Sequence, residues 1–202
     1  MVATLAIWML IAFGVLTFGV RVAVQLRRTG STGLIGLREG AGLVDWLSGI
    51  LFIGGMAMGA GSPVLVLTDV LHPISGIDVG GLHAIGIALA AIGGLAVFGA
   101  QLGMGESWRI GVSDEERTDL VTGGWFAVCR NPIYTSMIVG WTGFALMVPT
   151  WPALAAVLAI ALALELQVRA VEEPYLLRTH GDSYRAYGAS VGRFVPRVGL
   201  FR

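Results

Sequence analysis

The sequence predicts an all-α integral membrane protein with five transmembrane helices, the last two forming a tight helical hairpin. Three observations carry that expectation. The first is composition: 55% of the residues are hydrophobic and only 13% charged, where a soluble domain carries about 25%. So little charge does not cover a water-soluble globule, and the hydrophobicity excludes a disordered chain. The second is a series of long uncharged runs, and the third is where the arginines fall between them. Thirteen acidic and thirteen basic residues cancel, so no nucleic-acid partner is expected. A single cysteine, Cys129, excludes an internal disulfide and a multi-cysteine metal site, and no metal is expected. The 202 residues read as one membrane domain.

A crossing helix needs roughly 20 mostly apolar residues. Val2–Val20 is uncharged, and the run resumes past Arg21. With no basic segment before it and Arg27-Arg28 after it in place of a cleavage site, it reads as a retained span rather than a signal peptide. Trp46–Thr68 and Val79–Gly105 are the second and third runs, so residues 1–105 hold three spans. The fourth run, Asn131–Leu164, has 34 uncharged residues interrupted by Pro149-Thr150-Trp151-Pro152. Two prolines so close stop a helix. All thirteen basic residues are arginine, and none lies between Asp69 and Asp78 or around Pro149. The positive-inside rule then puts the loops around 27–45 and 106–130, and the tail, in the cytoplasm. Only an even number of crossings between Arg130 and Arg169 allows this. The fourth run is therefore a hairpin, Pro132–Val148 and Pro152–Val168, with the N-terminus outside and the C-terminus inside. Gly55-Met-Ala-Met-Gly59 is a small-residue face for close helix packing, within or between chains. The arginine-only, Ala/Gly-rich composition points to a prokaryotic inner membrane.

The first hundred residues carry little polar chemistry; His72 and His83 read as satisfied or interfacial residues. Gly103-Met-Gly105 begins a dinucleotide-like pattern, but Trp108 stands at the third glycine and no strand precedes it. Asp114-Glu115-Glu116 reads as solvated surface. Arg130-Asn131 directly before Pro132 reads either as an anion site at a helix N-terminus or as a basic anchor with a proline cap. Glu165, Arg169, Glu172 and Glu173 fall at i, i+4, i+7 and i+8, one face of an α-helix. They read either as a functional stripe at the membrane edge or as a salt-bridged helix end. The tail, from Tyr184 and Tyr187 to Pro196, has the mix of an interfacial cap.

Trp108, Leu120-Val121, Gly124, Arg130-Asn-Pro-Ile-Tyr134, Glu172-Glu173, Leu176, Gly181, Tyr184, Tyr187 and Arg193-Phe-Val-Pro196 occur in the order and spacing of a known family. Over roughly residues 100–197 the chain resembles the isoprenylcysteine carboxyl methyltransferase family, grouped with bacterial phospholipid N-methyltransferase-like membrane enzymes. It carries Asn131 where the family usually has His, and Asn hydrogen-bonds but does not titrate. The resemblance implies a methyltransferase-like catalytic part over 106–202, comprising the hairpin 132–168 and a C-terminal cap, with a cytoplasmic cofactor-binding region. It implies S-adenosylmethionine as cofactor and a lipophilic acceptor, isoprenoid or lipid, entering from the bilayer and methylated at a carboxylate.

On this resemblance Leu120, Val121, Gly124, Phe126, Arg130, Asn131, Tyr134 and Glu172 enclose the cofactor. Arg130 and Asn131 hold its carboxylate, Glu172 or Glu173 takes its ammonium, and Phe126 and Tyr134 flank the adenine or the sulfonium. Arg169 and Glu173 are the expected catalytic residues: Arg169 orients an acceptor carboxylate, and Glu173 is the base for an amine acceptor. Two other classes compete. A nicotinamide-dependent membrane lipid or sterol-type reductase would use Arg130, Arg193 and Arg197 for the phosphates. A non-catalytic membrane scaffold would bind no cofactor.

Overall fold

The computed structural model describes residues 1–34, 42–75, 79–109 and 119–201 and is all-helical. The acidic run at 114–116 lies outside the described residues. Helix α1 (Val2–Gly14), a π-helical turn (Val15–Val20) and α2 (Arg21–Thr29) form one continuous helix through Arg21. Gly30 ends it at φ 74°, its N–H donating to the Leu26 carbonyl at 2.9 Å, the left-handed stop that glycine adopts without a Cβ penalty. Helix α3 (Leu43–Leu67) begins three residues before the expected Trp46. The charge that seemed to bound the run is its cap: Asp45 Oδ2 accepts from the Gly42 N–H at 2.8 Å, satisfying a donor the helix cannot.

Helix α4 (Val79–Gly103) and the short α5 (Trp125–Val128) lead to the hairpin. Its arms are α6 (Pro132–Met147) and α7 (Trp151–Gln167), as the two prolines required. Pro132 and Pro152 sit in first turns, where a missing N–H loses nothing. Thr150 caps α7, its hydroxyl accepting from the Ala153 N–H at 3.3 Å. A second π-helical turn (Val168–Glu172) joins α7 to α8 (Glu173–Ser190), which kinks at Gly181.

Four helical segments, Val2–Thr29, Leu43–Leu67, Gly80–Gly103 and Trp151–Ser190, are long and apolar enough to cross a membrane. The fifth expected span, α6, has 16 residues, about 24 Å of helix at 1.5 Å per residue. Alone it falls short of a hydrocarbon core of about 30 Å. It is instead held between neighbours. α4 lies on α6 backbone to backbone: a Cβ at Gly86 would stand 2.7 Å from the Gly143 carbonyl oxygen. α3 lies on α7 through Gly55 and Gly59, which face Ile160, Ala156 and Trp141. The small-residue pair thus packs helices within the chain. Phe13, Trp141 and Phe144 meet edge-on at 5.7–6.5 Å between ring centres in the core. The Ile74 N–H donates to the Pro149 carbonyl at 2.9 Å, so the hairpin tip reaches the level of the α3–α4 connection.

Candidate active site

The end of α2, the start of α3, the end of α4, the start of α6 and the end of α7 all lie at one end of the bundle. Between them is a cavity of about 430 Å³, within the ~300–1,000 Å³ range of small-molecule sites. Its floor, between the long helices, is Phe18, Phe52, Met104, Met137 and Leu164, with three uncharged polar residues, Ser48, Gln101 and Gln167. Its cover is the stretch 119–134 with α8: Asp119, Leu120, Val121, Phe126, Tyr134, Glu172, Tyr184 and Tyr187 line it, joined by Arg109, Tyr175 and His180.

Two carboxylates line the cavity, Asp119 in the cover and Glu172 between floor and cover. Glu172 Oε1 accepts from the Tyr134 hydroxyl at 2.5 Å. Arg109 Nη2 donates to the Tyr175 hydroxyl at 2.9 Å. Phe126 is buried against the cavity, and its carbonyl accepts from the Tyr187 hydroxyl at 2.6 Å. Gly124, at φ 58°, turns the chain into α5 and is exposed.

Arg130 lines the cavity and pairs with Glu173, which does not, at 2.8 Å. Arg130 Nη1 donates to the Gly188 and Val191 carbonyls at 2.8 and 2.6 Å, and Nη2 to Glu173 Oε1 and the Gly199 carbonyl at 2.8 and 3.0 Å. Phe201 covers the guanidinium at 4.4 Å. Arg193 grips the same carboxylate with Nε and Nη2 at 2.8 and 2.9 Å, and that contact pushes the Arg193 pKa up. The result is a buried Arg–Glu–Arg cluster, with Glu173 8% exposed at its side chain. Both terminal nitrogens of Arg130 are therefore committed to the chain's own tail.

The tail also takes the N–H groups ahead of α6. Arg130 N–H donates to the Gly192 carbonyl and Asn131 N–H to the Arg193 carbonyl, at 2.8 and 3.0 Å. Asn131 Nδ2 donates to the same Arg193 carbonyl at 3.1 Å, and the Thr135 hydroxyl to the Phe194 carbonyl at 2.8 Å. Arg130-Asn-Pro thus anchors the tail with a proline cap, and Arg130 and Asn131 also line the cavity. Cys129 is buried beside them, and burial pushes its thiol pKa up.

The expected four-residue stripe is not one face. Arg169 pairs with Glu165 on the outside, with 59% of its side chain exposed, and is not among the residues lining the cavity. Glu172 faces the cavity and Glu173 the buried cluster. The correction has a physical cause: the π-helical turn between 168 and 172 breaks the 3.6-residue period on which the stripe was built. Sequence reasoning missed Ser48, Gln101, Arg109, Gln167, Tyr175 and His180. Ser48, Gln101 and Gln167 did leave a signal, as uncharged polar side chains within or at the ends of apolar runs, where membrane helices use them for contacts.

The chain is 34% identical over 119 residues to the nickel-cobalt-cadmium resistance protein NccN of Alcaligenes xylosoxydans xylosoxydans, covering 58% of this chain and 54% of that protein. It is 29% identical over 122 residues to the cobalt-zinc-cadmium resistance protein CzcN of Cupriavidus metallidurans, covering 60% of this chain and 50% of that protein. The chain thus spans about half the length of these curated relatives. No solved structure matches it. Residues 82–183 match the phospholipid methyltransferase family. That segment is just over half of the chain and holds much of the cavity's cover, and with it the chain belongs to the phospholipid methyltransferase family.

Proposed function

We propose that the chain is an S-adenosylmethionine-dependent integral membrane methyltransferase whose acceptor is a lipophilic isoprenoid or lipid. The observation that carries this reading is the two-sided cavity. One wall is polar and aromatic, with a carboxylate at its edge; the other is apolar and built from the long helices. The residues fit the cofactor's chemistry: Glu172 is a carboxylate for an ammonium, and Phe126, Tyr134 and Tyr184 are aromatic faces for an adenine or a sulfonium. Leu120 and Val121 line the cavity beside them, and Arg109, a lining residue like Arg130 and Asn131, is the guanidinium for a carboxylate. Arg130, Asn131 and Glu173 contribute by bolting the cover shut.

When bound, the cofactor supplies an electrophilic methyl group on a charged sulfur. The protein then has to align the acceptor and exclude water. A carboxylate acceptor arrives ionised and needs no base. Arg109, inside the cavity, replaces Arg169 as the cation that orients it. A second reading, an amine acceptor, is favoured by Glu172 in the cavity wall, and there Glu172 takes the place expected of Glu173 as base.

The five-crossing arrangement, with the cavity end in the cytoplasm, belongs to the same proposal. α6 completes the fifth crossing because its tip is tied to the α3–α4 connection by the Ile74–Pro149 hydrogen bond. The test is transfer of a radiolabelled methyl group from S-adenosylmethionine into a total lipid extract of the native membrane. Labelled lipid is expected with the purified chain, with a fall of at least tenfold for Glu172→Gln and near-full activity for Arg169→Ala. A nicotinamide cofactor that binds while S-adenosylmethionine does not would overturn the reading in favour of a reductase.

A further inference from the structure

The first long helix reaches the cavity from behind. Arg21 and Gln25 stand one turn apart on the same face of α2. Arg21 Nη2 donates to the Gly105 carbonyl at 2.7 Å, and Gln25 Nε2 to the Glu106 carbonyl at 2.8 Å. Both carbonyls lie just past α4, in the one-turn helix Gly105–Ser107, where the helix itself supplies no further donors. The Arg21 guanidinium also lies over the Trp108 ring, 4.4 Å from its centre. Gly33 closes on the same residue: a Cβ there would stand 3.0 Å from the Trp108 carbonyl oxygen and 3.1 Å from its ring. The stretch 105–108 is thus gripped by two carbonyls and one ring.

That stretch leads into the cavity wall, which Ser107, Trp108 and Arg109 line. Arg109 Nη2 donates on to the Tyr175 hydroxyl at 2.9 Å, and the Ser107 hydroxyl to the Asp119 carbonyl at 3.4 Å. The wall is held by α2 on one side and carries Arg109 and the start of the cover on the other. It lies inside the segment that matches the family, residues 82–183, whereas Arg21 and Gln25 lie outside it.

An ionisable side chain within a membrane helix is costly and points to a function. Arg21 is fully buried, and among the described residues no carboxylate pairs with it. Its Nε and Nη1 and the Oε1 of Gln25 are buried without a hydrogen-bond partner. For packing alone, apolar side chains of similar volume would serve as well or better. What Arg21 and Gln25 add is a fixed place for two backbone carbonyls, through a charge-assisted hydrogen bond, an amide hydrogen bond and a stacked ring.

We propose that Arg21 and Gln25 are positioning residues: they hold the 105–109 wall by its backbone and so set where Arg109 stands, which makes α2 part of the active site. One arm of the test needs neither cofactor nor acceptor. In a Cys129→Ser background, a soluble maleimide reads the exposure of the Ser107→Cys thiol. Gln25→Leu is expected to speed that reaction about threefold or more, because the wall opens locally. In the chain that keeps Cys129, the buried Cys129 thiol should stay as slow with Gln25→Leu as without it. The second arm rests on the methyltransferase reading above. Arg109→Ala raises the KM of whichever substrate gives Arg109 its carboxylate. Gln25→Leu should raise the same KM roughly three- to tenfold, the worth of one net hydrogen bond, and leave the other KM unchanged. Combined with Arg109→Ala it should add nothing, since its effect passes through that guanidinium.

Unchanged labelling at Ser107→Cys would overturn the proposal. Faster labelling of Cys129 to the same extent would also overturn it, making Gln25 a general packing residue. So would a rise in the other KM, or full additivity with Arg109→Ala. A wild-type chain that transfers no methyl group refutes the methyltransferase reading instead, and the labelling arm then still decides whether α2 holds the wall.

Discussion

Glu173 illustrates how far a motif reads a single residue. The family pattern put Arg130 and Glu173 around one cofactor pocket; in the structure they pair directly with each other at 2.8 Å. What the pattern did not carry was the third partner, Arg193, twenty residues on in a tail whose path no local periodicity encodes. With two guanidiniums on one buried carboxylate, removing the carboxylate is more damaging than removing either partner. Glu173→Ala leaves Arg130 buried and uncompensated, and is expected to destabilise the cover by about 3–5 kcal/mol. The measurement is limited proteolysis of the tail together with thermal unfolding in detergent; a tail as protected as in the wild type would show that the backbone hydrogen bonds at Gly192 and Arg193 suffice without the ion cluster. Cys129, next to Arg130, gives a second reading of the same closure. Its thiol is buried and its pKa is pushed up by burial, so at pH 8 it holds less of the reactive thiolate than a free cysteine. A soluble maleimide should label it slowly in the native chain and quickly in Glu173→Ala.

Between helices the deciding groups are glycines and the two π-helical turns, and the sequence declares them unequally. The hairpin was legible because Pro149 and Pro152 forbid one continuous helix and the arginines demand a return. The π-helical turns were not, since Val168–Glu172 contains no residue that signals an extra member in the turn. That one shift moved Glu172 into the cavity wall and Glu173 behind it, and separated both from Arg169. The pairing of α4 with α6 was equally silent, because thirty glycines do not say which of them touch. The structure sorts them. A Cβ at Gly86 would stand 2.7 Å from the backbone of α6 at both Gly143 and Met147, so Gly86→Ala must push two helices apart. A loss of about 1–3 kcal/mol is expected from such overpacking. Gly61, on α3, has no atom within 4 Å of where a Cβ would go. Gly61→Ala should be neutral or stabilising, because Ala is the better helix former. Thermal unfolding of the two variants side by side checks the sorting, and equal Tm shifts would contradict it.

At the scale of the whole molecule, the helices divide the chain into two ends of opposite character. The cavity end gathers residues from the end of α2, the start of α3, the stretch between α4 and α6, and everything from the end of α7 onward. Among the described residues, Arg21 opens α2 and donates to the Gly105 carbonyl just past α4, Arg27 and Arg28 close α2, Arg109 and Arg130 fall between α4 and α6, and Arg169, Arg178, Arg185, Arg193 and Arg197 follow the end of α7. The other end comprises the start of α1, the α3–α4 connection and the hairpin tip; it has Asp69 and His72 and no arginine. The orientation proposed above, with the cavity end in the cytoplasm, is what the positive-inside rule expects of that distribution. A further question is whether α6, at 16 residues, carries the hairpin through the bilayer or stops within it. The Ile74–Pro149 hydrogen bond ties the tip to the same level as the α3–α4 connection, and Trp151 beside it is exposed. An aromatic side chain at that depth suits the outer interface. With Cys129 replaced by Ser, single cysteines at Ser75, Trp151 and Ser190 make the arrangement measurable in right-side-out vesicles. A membrane-impermeant maleimide added outside should label Ser75→Cys and Trp151→Cys, and Ser190→Cys only after permeabilisation. Labelling of Ser190→Cys from outside would invert the orientation. A Trp151→Cys that stays unlabelled from either side would place the tip inside the hydrocarbon, leaving four crossings and a re-entrant α6.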